Sequence, residues 1–145
     1  MLQLLAAIHA GSTCFMVGLI WFVQVVHYPL LARVAGKEYA AYHSEHARLT
    51  TGLVVPVMVV EGATAVLLLA LRPPLIPIVW LLTGLMLALM TWTSTAFVQL
   101  PAHALLGRSF DPRVHRRLVL GNWLRTFAWS IRGILSLGIL YRLAR

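Results

Sequence analysis

Residues 50–98 read TTGLVVPVMVVEGATAVLLLALRPPLIPIVWLLTGLMLALMTWTSTAFV, with one acid, Glu61, and one base, Arg72. Two apolar runs lie here, about Thr50 to Leu71 and Leu75 to Val98. Each exceeds the ~20 residues that cross a hydrocarbon core as a helix. The Arg72-Pro73-Pro74 turn between them leaves room only for a hairpin connection. Working outward, a run from about Leu4 to Val26 precedes this hairpin and one from about Leu118 to Tyr141 follows it. The expected fold is therefore an all-α membrane protein, a four-transmembrane-helix bundle forming a single domain over residues 1–145. The N-terminal Met1-Leu2-Gln3 carries no basic leader, so the first run reads as retained.

Composition leads to the same class. The chain is 60% hydrophobic and 11% charged, with a mean hydropathy of +0.83. A soluble domain of this length could not bury that much apolar surface, so lipid is the expected partner of the outer faces. The net charge of +8, from 12 Lys+Arg against 4 Asp+Glu, falls mainly between the runs. That placement, with no nucleic-acid motif, argues against nucleic acid and for charge-guided membrane orientation. Cys14 is the single cysteine, so no intrachain disulfide forms.

Helical hairpins alternate sides. Arg33, Lys37, Arg48, Arg108, Arg113, Arg116 and Arg117 share the face of the 27–49 and 99–117 connections, against Arg72, Arg142 and Arg145 on the other. This imbalance places the histidine-rich connections in the cytoplasm and both termini outside. His27, His43, His46, His103 and His115 fall on that same face; His9 lies deep in the first run.

The halves echo each other. Phe22-Val23-Gln24, His27 and Arg33 parallel Phe97-Val98-Gln99, His103 and Arg108. His46-Ala47-Arg48-Leu49 with Gly52 parallels His115-Arg116-Arg117-Leu118 with Gly121. Two duplicated helical hairpins, repeats over 1–71 and 75–145, would pair Gln24 with Gln99, His27 with His103 and His46 with His115.

At ~100° per residue each span offers one polar stripe. These are His9, Thr13, Gln24 and His27 on the first; His43, His46, Thr50, Glu61 and Thr64 on the second, extended back to near Lys37; Trp92, Thr95 and Gln99 on the third; and Asn122, Arg125, Trp129, Arg132 and Ser136 on the fourth. Intramembrane polar groups are costly and point into the bundle, so a polar core open toward the histidine side is expected. Glu61, the acid of the spans, requires a cation, and Arg132 or Arg125 supplies it.

Leu100-Pro101-Ala102-His103 followed by Asn122-Trp123-Leu124-Arg125-Thr126 resembles the anthrone-oxygenase-like family of small four-helix membrane proteins. That family tends to show Val-Pro-x-Asn and then Asn-x-x-Arg-Thr opening its last helix. Pro101, Asn122, Arg125 and Thr126 match, while His103 stands where the family usually has Asn. The likeness lies mainly in the second half and implies oxidation of a hydrophobic aromatic substrate without a known cofactor.

The residues themselves leave three function classes open. One is a metal-dependent oxidoreductase or oxygenase acting on a hydrophobic substrate. The metal, Fe, Cu or Zn, would be held by His27, His43, His46, His103 and His115, with Gln24, Gln99 and Asn122 binding the cofactor and Glu61, Arg125 and Arg132 in catalysis. The second is a small transporter or channel-like protein, as a homo-oligomer. The third is a non-catalytic membrane partner. Whether the chain is an enzyme stays undecided at this level.

Overall fold

The computed structural model describes residues 1–34 and 36–145. α1 (Leu2–Phe22) runs through a π-helical turn (Val23–His27) into α2 (Tyr28–Leu31). A 3-10 turn (Gly36–Glu38) leads into α3 (Tyr39–Leu71). α4 (Ile78–Ser94) runs through a second π turn (Thr95–Gln99) into α5 (Leu100–Leu106), and α6 (Pro112–Ala144) closes the chain.

The result is a four-helix membrane bundle. The stretches Leu2–Leu31, Tyr39–Leu71 and Ile78–Leu106 are each long and apolar enough to cross a membrane. α6 matches α3 at 33 residues but carries arginines on its inner face. Outward faces are frankly apolar: Phe97 is 77% exposed, Ile134 73% and Met86 65%. Contiguous exposure of this kind is satisfied by lipid rather than water.

α6 is the central helix, packed against α1, α4 and α5. Small residues let it approach closely. A Cβ on Gly133 would lie 3.0 Å from the Val17 side chain of α1, and one on Gly138 2.8 Å from the Trp80 ring of α4. Asp111 caps its start, accepting from the backbone N–H of Arg113 at 2.7 Å and of Val114 at 3.3 Å, with Pro112 in the first turn where no N–H is missed. α3 ends at Arg72 in the left-handed region (φ 42°), because Pro73 and Pro74 cannot extend a helix.

The connections are shorter than the apolar runs suggest. α2 and α5 extend the spans, and α3 and α6 begin well before them, leaving only 32–38 and 107–111 between helices. The third span starts at Ile78 rather than Leu75, since Pro73, Pro74 and Pro77 hold 72–77 in a turn.

Both π turns have one cause. Pro29 and Pro101 lack the N–H of an ordinary turn, and their rings clash with the carbonyl four residues back. The turn ahead widens, so that Tyr28 N–H bonds Val23 O and Leu100 N–H bonds Thr95 O, five residues apart. Each π turn shifts the downstream helical phase. On the third span the inward residues are thus Thr91, Ser94 and Gln99, while Trp92, assigned inward by the regular stripe, is 41% exposed. Aligned on these turns, Pro29 sits opposite Pro101 and His27 opposite Gln99, a different register from the one that pairs Gln24 with Gln99.

Candidate functional site

The site is built from four element ends on the histidine side. The first π turn and α2 bring His27 and Tyr28; the first turns of α3 bring His43 and His46. The second π turn and α5 bring Gln99 and His103, and the early turns of α6 bring His115, Asn122 and Arg125.

Tyr28 is the hub, 2% exposed. Its ring centroid lies 6.1 Å from that of His27, 6.2 Å from His103 and 6.4 Å from His115. Its hydroxyl is 3.5 Å from Gln99 Oε1 and 3.5 Å from His103 Nε2, and its carbonyl takes His115 Nε2 at 3.0 Å. The histidines associate in pairs. His103 Nδ1 meets His43 Nε2 at 3.2 Å, and His27 stacks on His46 with centroids 3.8 Å apart. His46 also reaches Thr50 Oγ1 at 3.2 Å. The five imidazoles assigned as metal ligands thus gather at one end of the bundle, with His43 wholly buried and only His46 and His103 bordering a cavity. Among the described residues, no three His, Cys, Asp or Glu side chains group as a metal would need.

One or two turns deeper lies a polar chain. Arg125 Nη1 donates to Asn122 Oδ1 at 3.0 Å, and Asn122 Nδ2 donates to Gln24 Oε1 at 2.8 Å. Gln24 and Asn122, read from sequence as cofactor contacts, are thus spent on holding Arg125. The third such residue, Gln99, lines a cavity.

That cavity, about 200 Å³, has apolar walls of Met16, Leu19 and Ile20 from α1 and Val54, Val55 and Met58 from α3. Its polar end is formed by Tyr28, His46, Gln99, His103 and Arg125. A smaller hollow of about 80 Å³ shares His46, Thr50, Thr51, Leu100 and His103 and continues the cleft between α3 and α5. Leu100 and Val55, on its lipid side, are about half exposed at 54% and 49%. These outward-facing side chains lie where α3 and α5 separate.

Beneath the cavity the axis is filled. Glu61 Oε2 pairs with Arg132 Nη1 at 3.0 Å, both side chains almost wholly buried. Trp129 Nε1 donates to both Glu61 oxygens at 3.1 Å, while the Arg125 guanidinium sits 5.1 Å above the Trp129 ring. His9 Nδ1 meets Thr64 Oγ1 at 2.9 Å in the same layer. Of the three residues given catalytic roles from sequence, only Arg125 lines the cavity; Glu61 is wholly buried apart from it, and Arg132 borders a separate small hollow beside His9.

Trp129 was on the stripe read along the fourth span, whereas Tyr28, at the centre of the site, was on none. Tyr28 precedes Pro29 directly, so the disrupted turn was the available signal. Comparison with protein-family models, with curated proteins and with solved structures finds no match.

Proposed function

We propose that the chain takes a hydrophobic small molecule from the bilayer through the α3–α5 gap and holds its polar end against the histidine side of the bundle. The observation that carries this reading is the shape of the ~200 Å³ cavity, apolar along α1 and α3 and closed by Tyr28, His46, Gln99, His103 and Arg125. Such a distribution, apolar walls with a few convergent polar groups, is that of a small-molecule site. The filled Glu61–Arg132–Trp129 layer favours a pocket over a permeation path through one chain.

The resemblance to the anthrone-oxygenase-like family supplies the reaction class, oxidation of an aromatic substrate with dioxygen as oxidant. In that class His46 and His103, which border the cavity, would face the bound ring system. A transition metal, Fe, Cu or Zn, is the second reading. It is favoured by the 3.2 Å approach of His43 and His103, and stoichiometric metal in protein purified without chelator would bear it out. The seven-to-three basic imbalance supports placing this end of the bundle in the cytoplasm.

The test uses 1-naphthalenemethanol, an uncharged ring with one hydroxyl, in equilibrium dialysis against the detergent-solubilised protein. Val54→Trp fills the cavity and should abolish saturable binding. Val66→Trp, on a lipid-exposed part of α3, should leave binding unchanged. Equal binding by both variants would end the pocket reading.

A further inference from the structure

The proposed pocket carries an unbalanced charge. The spans hold two buried arginines, Arg125 and Arg132, and one buried acid, Glu61. Glu61 is committed to Arg132 at 3.0 Å. The other three acids, Glu38, Glu45 and Asp111, lie at the ends of the long helices, and Glu45 is paired with Arg48. Among the described residues Arg125 has no anionic partner. What it has is a neutral amide, Asn122, and an aromatic face, Trp129.

Its hydrogen bonding is equally incomplete. A guanidinium has five N–H donors, and the buried Nε of Arg125 has no partner. Gln99 Nε2, also buried, has none either. Both side chains are more than nine-tenths buried, and both line the cavity. Gly121, one helical turn before Arg125, makes room for this arrangement: a Cβ there would lie 3.3 Å from Gln99 Nε2. Buried donors without acceptors are costly and rare, and a lone cation at membrane depth is costlier still. Both costs are removed by one group, an oxyanion at the polar end of the cavity.

We propose that the physiological ligand is a hydrophobic acid: an apolar body in the cavity whose carboxylate or similar oxyanion bonds Arg125 and Gln99. This deepens the pocket reading above and rests on it. Arginine suits the task because its planar fork grips two oxygens at once. The apolar walls argue for an anion attached to the hydrophobic body rather than a free inorganic one. The cavity measures about 200 Å³. A single ring system or the first part of an acyl chain fills it, and anything longer runs out through the α3–α5 gap into lipid.

The experiment compares 1-naphthoate with 1-naphthalenemethanol, which share the ring and differ in charge. Wild-type protein should bind 1-naphthoate at least about tenfold more tightly, and acetate should compete at least about a hundredfold more weakly than 1-naphthoate. Arg125→Gln should erase the preference while keeping 1-naphthalenemethanol binding. Gln99→Met should weaken 1-naphthoate at least about threefold more than it weakens the alcohol, which decides the matter if Arg125→Gln does not fold. Equal affinity for acid and alcohol in wild type overturns the hydrophobic-acid assignment and leaves the pocket standing. A preference that survives Arg125→Gln, or a Gln99→Met effect equal for both probes, also overturns it. Acetate competing as well as 1-naphthoate would show a site for any carboxylate and overturns the hydrophobic class. Failure of both probes to bind removes the pocket reading itself.

Discussion

Arg125 and Arg132 stand seven residues apart on one face of α6, both within the bundle, yet their surroundings differ in kind. Arg132 faces a carboxylate at 3.0 Å, and that carboxylate is further tied by Trp129. Arg125, two turns nearer the histidines, is held by an amide chain and a ring face and borders a cavity. The first charge is balanced within the protein, although the buried Arg132 nitrogens make no well-formed hydrogen bond; the second charge is not balanced. A charge whose partner is supplied by the fold organises the fold, and a charge whose partner is not is available to a ligand. Trp129 divides the two, its indole N–H turned to Glu61 and its face to Arg125.

The sharpest way to break the comparison is at Glu61. Glu61→Gln keeps an acceptor for Trp129 but strands Arg132, and removing one member of a buried pair costs about 3–5 kcal/mol. Thermal unfolding in detergent should show that loss, and Glu61→Gln with Arg132→Leu should recover part of it. Losses that simply add would mean the two charges are not coupled.

A smaller effect is expected at Asn122. Asn122→Ala removes the acceptor of Arg125 and the donor to Gln24, and a buried polar group left unsatisfied costs about 1–3 kcal/mol. Stability should fall by that amount, and the acid-over-alcohol preference should narrow as the guanidinium loses its support. An unchanged preference would show that the amide chain does not position Arg125.

The smallest stability effect should come from Arg125 itself. Arg125→Met removes a buried cation that no acid in the fold balances, so the unliganded protein should be as stable as wild type or more stable. The same change at Arg132 should be strongly destabilising. Comparable losses at both positions would erase the distinction between them.

Much of the architecture was legible because lipid demands continuous apolar runs, and the chain supplies them plainly. The inner face of α6 followed its periodicity from Asn122 to Ser136, since no proline interrupts that helix. The Glu61 pairing was legible from depth alone. The third span was misread at Trp92, because a stripe drawn at constant pitch ignores the widened turn that Pro101 imposes. Gln24 and Asn122 were visible as polar groups, but their use in supporting an arginine depends on contacts across more than 95 residues of sequence. Histidine sidedness was readable from alternation of the hairpins; that the rings would associate as His43 with His103 and His27 with His46 was not, because pairing depends on side-chain direction at the helix ends. The surplus of positive charge within the spans could have been counted from two arginines and one glutamate.

The two widened turns also bear on how such a protein tolerates change in length. Each places one residue more into a turn than a regular helix would, and the segment beyond it is rotated by about 100° as a result. Deleting a single residue between 23 and 27 would let the turn close up as an ordinary helical turn ahead of Pro29 with Tyr28 still directed at the imidazoles, and the apolar run would remain long enough to span. A widened turn therefore acts as slack: a residue lost within it leaves the face presented to the pocket unchanged, whereas the same loss in a regular turn of α1 would rotate the end of the helix by about 100°.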